Sequence, residues 1–106
     1  MLDKLTCADV LPALNQVWRL TDSEGTAVEL VLIQAAERPQ AYAVGISRRM
    51  PFFMAFRGPR WPEIPQGLYI LEHEAVGKLD QVLVTPLHMP YMANQTDVRH
   101  YQIGFA

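Results

Sequence analysis

Residues 51–73 read PFFMAFRGPRWPEIPQGLYILEH, and the rest of the chain is best understood outward from them. The side chains of residues 52–57 alternate, and a period of two places alternate residues on opposite faces of a β-strand. Neither face carries a polar side chain before Arg57, so we expect this strand to be buried on both faces. Gly58 and Pro59 should end it, because proline donates no hydrogen bond to a sheet and glycine permits a bend.

A proline-rich crossing connects this strand to the next one. Pro59, Pro62 and Pro65 fall at every third position, which is typical of an extended, polyproline-like segment with little conformational freedom to lose. Gln66 and Gly67 then favour a turn, and the alternation over residues 68–73 predicts a second strand.

The middle of the chain carries the pattern FRGP, then PQGxYxLEH, then a glycine before a strand. The residues of this pattern are Phe56, Arg57, Gly58, Pro59, Pro65, Gln66, Gly67, Tyr69, Leu71, Glu72, His73, Gly77, Leu83 and Val84, with Leu5, Thr6, Asp9, Tyr101 and Phe105 towards the ends. In these residues the chain resembles an uncharacterised bacterial family, domain of unknown function 6916.

What the resemblance implies is a compact β domain with no established activity. It also implies a link to phage-tail-like assemblies, since some members sit near collar genes of such tails. The chain departs from the family pattern over residues 85–96, where it carries a longer insert that contains methionine and proline.

Composition limits the class of protein. A chain of 106 residues, 50% hydrophobic and 19% charged, predicts one globular domain over residues 1–106. The net charge of -2 disfavours a nucleic-acid partner, and the single cysteine, Cys7, excludes an internal disulfide and a cysteine-based zinc site. No apolar run approaches the roughly 20 residues of a membrane helix. The N-terminus lacks a signal-peptide pattern, so we expect a cytoplasmic protein with no membrane partner.

The remaining patterns predict an all-β fold, a small antiparallel barrel or sandwich of six or seven strands. Further strands are expected at 17–21, 27–36, 41–46, 78–85 and 98–105, with tight turns at 22–25 and 74–77 and a loop at 86–97. Thr6 and Asp9 fit a capping box, which predicts a short N-terminal helical turn that plugs one end. The residues expected in the core are Phe52, Phe56, Tyr69, Leu71, Leu83, Tyr101 and Phe105.

No pattern in the chain dictates a reaction, and we expect neither catalytic residues nor a cofactor. The three histidines, His73, His88 and His100, lack the spacing of metal ligands, and His73 is expected to be half-buried and structural. His88, Met89 and Met92 are donors that suit a soft metal, but scattered methionines are more typical of a surface loop, so no metal is expected. The carboxylates Glu72, Glu74 and Asp80 should be solvated or matched by Lys78 rather than used in acid–base chemistry.

Arginines beside aromatic residues suggest a binding surface. Arg48, Arg49, Arg57 and Arg60 lie near Trp61 in the sequence, although Arg57 itself should pair with Glu72 across strands. Arg60 and Trp61 lie on a loop that cannot easily bury a tryptophan, which favours a protein contact. The alternative for Trp61 is a lid folded back on the core. A second candidate surface contains His88, Met89, Tyr91 and Met92.

Two functions remain open at this point. The first is a non-catalytic module that docks on a protein partner or on itself, within a larger bacterial or phage-tail-like assembly. The second is a small-molecule-binding barrel with a weak enzymatic role. A deep apolar pocket with convergent polar groups favours the second function, and an exposed patch around Trp61 favours the first.

Overall fold

A computed structural model describes residues 5–38, 51–87 and 98–105 of the chain. Within these residues, six antiparallel strands close into a barrel in the order β1-β2-β3-β6-β5-β4, and β4 pairs with β1. The strands are β1 (Val17–Thr21), β2 (Ala27–Glu37), β3 (Phe52–Pro59), β4 (Gly67–His73), β5 (Gly77–Leu87) and β6 (Val98–Phe105). One short helix, α1 (Cys7–Val10), and a 3₁₀ turn (Leu11–Ala13) precede them. The expected all-β fold is confirmed as a barrel rather than a sandwich.

Turn chemistry explains why the expected hairpins form where they do. The Asp22 carboxylate accepts backbone N–H groups of Glu24 and Thr26, both at 2.9 Å, which fixes the β1–β2 turn. Gly25 and Gly77 have φ of 87° and 102°, values that glycine adopts without steric cost. The strand expected at 41–46 lies outside the described residues.

The barrel interior is filled by inward side chains from all six strands. Phe52, Phe56, Leu71, Tyr101 and Phe105 are buried, which confirms five of the seven expected core residues. On the other face of β3, Ala55 is buried but Phe53 only half-buried, so the expectation of burial on both faces holds in part. A side chain on Gly58 would overlap with the end of the Leu30 side chain, so glycine at this position leaves room for the buried Leu30.

A bulge in β5 makes the expectation for Leu83 wrong. Leu71 lies opposite Leu79 and Tyr69 lies opposite Val82, so β5 contains one residue more than β4 between these pairs. Gln81 takes φ of 57° in this bulge. Because an extra residue reverses the alternation, Val82 turns inward and Leu83 turns outward, 49% exposed. Tyr69, also expected in the core, is half-buried.

Strand order also overturns the expected pair between Arg57 and Glu72. Arg57 lies on β3, which pairs with β2 and β6, so its cross-strand neighbours are Val31 and His100. Glu72 lies on β4, between β1 and β5, where it is opposite Arg19 and Lys78. Lys78 is therefore the cross-strand neighbour of Glu72, and the expected charge match between them stays a prediction. The expected pair of Arg57 with Glu72 is wrong because β3 and β4 follow one another in the sequence but are not neighbours in the barrel.

The antiparallel order gives the barrel two distinct ends. We call one the loop end, which carries the 22–25 turn, the loop 60–66 and the described residues Leu87 and Val98. We call the other the helix end, which carries α1, the 3₁₀ turn and the 74–76 turn.

The helix end confirms the expected N-terminal plug. The Thr6 N–H donates to Asp9 Oδ2 at 2.9 Å, one half of the expected capping box. Cys7 and Val10 of α1 are buried in the main apolar core. None of the described helices is long and apolar enough to cross a bilayer.

Candidate functional site

The loop 60–66, sequence RWPEIPQ, differs in shape from the extended segment expected from its prolines. The chain bends at residues 60–62, and the Trp61–Pro62 peptide bond is cis. Because of these bends, the first part of the loop lacks the evenly extended backbone of a polyproline helix.

Two tyrosine hydroxyl groups hold the second half of this loop. The Ile64 N–H donates to Tyr101 Oη at 3.0 Å, and Tyr101 is fully buried on β6. The Ile64 side chain is 4% exposed and belongs to the main core, so it closes the mouth of the barrel. Tyr69 Oη donates to the Pro65 carbonyl at 2.6 Å. A buried hydrogen bond and a buried apolar side chain together fix the loop to the strands below it.

Arg99 of β6 holds the first half of the loop. Its Nε donates to the Arg60 carbonyl at 2.8 Å, and one terminal nitrogen lies 3.7 Å from Glu63 Oε1. The guanidinium carbon lies 5.6 Å from the centroid of the Trp61 ring, within the range of a cation–π contact. Each of these contacts is weak in water, about 0.2–1 kcal/mol for the ion pair, but together they orient the indole.

Trp61 itself points away from the protein. Its side chain is 68% exposed, the largest exposed fraction among the exposed large apolar residues that the structure describes. The expectation of an exposed tryptophan is confirmed, and the alternative of a lid over the core is wrong because most of the side chain is exposed. An exposed tryptophan on a held loop presents a large apolar area whose backbone is already ordered.

The structure places some of the expected surface residues and not others. Arg60 is exposed beside Trp61. His88, Met89, Tyr91 and Met92 lie outside the described residues, as do Arg48 and Arg49. The described residues that flank the 88–97 segment are Leu87 and Val98, and both lie at the loop end, where Val98 pairs with Pro59.

Two arginines lie beside Trp61: Arg60 precedes it in the loop, and the Arg99 guanidinium contacts its ring. Arg57 and Arg60 are exposed, and Arg99 is partly exposed, while Glu63 is the acidic residue within the loop. His100, opposite Arg57, is buried; burial, followed by the nearby Arg57 charge, lowers the pKa of its ring. A lowered pKa favours the neutral ring, so the arginines carry the positive charge of this surface.

His73 lies at the helix end and is half-buried, as expected, while its expected structural role stays a prediction. Its Nδ1 accepts the N–H groups of Ala75 at 3.0 Å and Val76 at 3.3 Å. Since Nδ1 acts as an acceptor, the proton of the neutral ring is on Nε2, which donates to Gln16 Oε1 at 2.7 Å. The centroid of the His73 ring lies 4.7 Å from the centroid of the Trp18 ring.

The described residues offer little for metal or thiol chemistry. In the ranges 5–38, 51–87 and 98–105, no group of three or more His, Cys, Asp and Glu side chains is placed to hold a metal ion. Burial, followed by the charge of Glu37, raises the pKa of the Cys7 thiol. A raised pKa leaves little of the reactive thiolate at neutral pH.

Sequence reasoning missed two residues of this site, Arg99 and Ile64. Arg99 carries no local signal, because its contacts with Arg60 and Trp61 depend on the pairing of β3 with β6. Ile64 did carry a signal, since it is the one apolar side chain between Pro62 and Pro65. A lone aliphatic residue in a rigid polar loop is a candidate anchor into the core.

The comparison with protein families decides where the chain belongs. The family model described as Domain of unknown function (DUF6916) matches residues 5–105. The chain is a member of the DUF6916 family. No curated protein and no solved structure matches it. The DUF6916 match covers β1 to β6 and α1, so the barrel and both of its ends lie within the family domain.

Proposed function

We propose that this DUF6916 domain is a non-catalytic interaction module, which docks on a protein partner through Trp61 at the loop end. The observation that supports it is the exposed Trp61 side chain on a loop fixed by Ile64, Tyr101 and Arg99. The setting we propose is a larger cytoplasmic assembly of bacterial or phage-tail-like type.

The energetics of binding favour such an arrangement. Tryptophan and arginine are enriched among the residues that dominate binding energy at protein interfaces. A loop that is already held in place loses little conformational entropy when a partner clamps it. The Arg99 contact with the indole also restricts the ring before a partner arrives.

Exposed arginines on β3 and in the loop indicate the chemistry of the partner. Arg57 and Arg60 are exposed and have no carboxylate within ion-pair distance among the described residues. A partner segment that places an apolar side chain on the indole and acidic side chains against these arginines fits this surface. Self-association through the same surface is the other outcome that an experiment distinguishes.

Affinity capture with matched variants tests the proposal. The tagged domain is incubated with lysate of its native host, and bound proteins are quantified for the wild type, Trp61→Ala and Val17→Ala. Val17 is a suitable control because it is 55% exposed and lies on β1 at the helix end. Loss of the captured partner should follow Trp61→Ala alone, by about 2 kcal/mol or more in a subsequent titration.

Two results oppose the proposal. If Trp61→Ala keeps the full set of captured proteins, the loop end is not the docking surface. If Trp61→Ala lowers the urea midpoint as much as a core substitution does, the tryptophan serves the fold rather than a partner. Sedimentation velocity of the purified domain identifies self-association, which Trp61→Ala should then abolish.

A further inference from the structure

A cavity of about 600 Å³ lies at the helix end, opposite the Trp61 surface. The described residues that line it come from α1, the 3₁₀ turn, the segment before β1, and the β4–β5 hairpin: Leu5, Asp9, Pro12, Ala13, Gln16, His73, Ala75 and Val76. Its walls are mainly apolar, and its volume lies in the range of sites that accept a whole small molecule. The mouth of a β-barrel is a common position for such sites.

The polar groups in this cavity have defined hydrogen-bonding roles. His73 uses both ring nitrogens, since Nδ1 accepts two backbone N–H groups and Nε2 donates to Gln16 Oε1. This bond fixes the orientation of the Gln16 amide and leaves its NH₂ group as a donor. Asp9 Oδ2 accepts the Thr6 N–H, so Asp9 Oδ1 remains as an acceptor with a negative charge.

The described residues that line the cavity include one acidic side chain, Asp9, and no lysine or arginine. Arg19 and Lys78 line a neighbouring polar groove, which shares His73 with the cavity and also contains Glu29, Glu72 and Glu74. The cavity therefore combines an apolar wall, one carboxylate oxygen and one amide donor.

We propose that the helix-end cavity binds a small organic cation with an apolar body. The ammonium group lies against Asp9, and the apolar body packs on Leu5, Ala13 and Val76. An oxygen on the ligand accepts from the Gln16 amide where the molecule carries one. A cation beside the Asp9 carboxylate, which is exposed at the rim of the cavity, forms a charge-assisted hydrogen bond that a neutral or anionic analogue of the same shape cannot form.

A set of three matched probes tests this on the wild-type domain. The probes are 2-phenylethylamine, 2-phenylethanol and 3-phenylpropanoate, which share an aromatic body and differ in charge. Titrations followed by ¹H–¹⁵N spectra report both the affinity and the amides that shift. The amine should bind about threefold to tenfold more tightly than the alcohol, and the carboxylate should bind most weakly. The shifted amides should include Ala13, Ala75 and Val76.

Two charge variants sharpen the test. Asp9→Asn retains an oxygen that accepts the Thr6 N–H but removes the charge, so it should reduce the preference for the amine over the alcohol to near unity. Glu24→Gln makes the same change on the exposed turn at the loop end and should leave that preference intact. The proposal is wrong if the three probes bind alike, if the shifts fall away from the cavity, or if both variants behave as the wild type. Because this site and Trp61 lie at opposite ends, either proposal can fail without the other.

Discussion

Each end of the barrel is closed by a short segment that hydrogen-bonds to a buried aromatic side chain. At the loop end, Tyr101 Oη accepts the Ile64 N–H at 3.0 Å. At the helix end, Trp18 Nε1 donates to the Ala13 carbonyl at 3.4 Å. Buried tyrosine and tryptophan side chains commonly use their single polar atom in this way, while the ring fills the core.

The two ends differ in the volume that the closing segment leaves unfilled. At the loop end, Ile64 fills the mouth, and the cavity beside it measures about 100 Å³. At the helix end, α1 and the 3₁₀ turn leave about 600 Å³. A tightly closed end that projects Trp61 suits a macromolecular partner, and an end with an open cavity suits a small ligand. The two proposed sites thus differ in kind because the two plugs differ in size and packing.

Phe56→Ala should have the largest effect, because it removes core that both ends share. Phe56 is fully buried and pairs with Tyr101 across β3 and β6. The centroid of its ring lies 5.8 Å from that of Trp18. The lost burial and the cavity should lower the free energy of unfolding by about 3–5 kcal/mol. Urea denaturation measures it, with Leu83→Ala on the outer face as a control expected within about 0.5 kcal/mol of the wild type. An unchanged midpoint for Phe56→Ala would contradict the strand assignment.

Ile64→Ala tests whether the loop end is held in place independently of the helix end. It removes the side chain that closes the loop end, so the domain should lose about 2–4 kcal/mol of stability. Amide hydrogen exchange should accelerate in residues 60–66 more than in α1. Equal acceleration at both ends would show that the loop is not held by its own anchor.

Tyr101→Phe tests the hydrogen bond alone. The ring remains, but the Ile64 N–H loses its acceptor in a buried position, which should reduce the free energy of unfolding by about 1–2 kcal/mol. Tyr69→Phe removes the more exposed bond to Pro65 and should have a smaller effect. If Tyr69→Phe proves the more damaging change, the loop is fixed from its outer side rather than from the core.

Acidification should lower the free energy of unfolding by less than these substitutions do, through the protonation of His100 on β6. Burial lowers the pKa of His100 in the folded domain, so the unfolded chain binds a proton at a higher pH than the folded domain does. Stability should therefore be fully present above the ordinary histidine pKa of about 6.5 and should decline as the pH falls below it. His100→Gln should show a flatter dependence in urea unfolding at pH 7.5 and pH 6. Identical slopes for both proteins would exclude this contribution.

Local patterns predicted much of the fold. The bounds expected for β1 and β6 are those observed, because turn residues and alternating side chains act over a few positions. The prediction that Leu83 is buried was wrong, because the bulge at Gln81 reverses the alternation of side chains within β5. A bulge arises from the pairing of two strands, and the alternation of one strand does not reveal it.

The candidate sites were predicted less completely than the fold. The exposure of Trp61 followed from the rigidity of its loop, which is a local property. The Arg99 contact and the pairing of Arg57 with His100 rather than Glu72 depend on strand order, which the sequence pattern left undetermined. The helix-end cavity likewise requires Asp9, Gln16 and His73 to converge from separate elements.

The most direct test of the central claim is site-specific photo-crosslinking in the native host. A photoreactive phenylalanine derivative replaces Trp61 in one version of the domain and Val17 in a second version. Both positions are exposed, at 68% and 55%, and they lie at opposite ends of the barrel. The account predicts a discrete crosslinked protein from position 61 and none from position 17. Crosslinks from position 17 alone, or the same products from both positions, would contradict it.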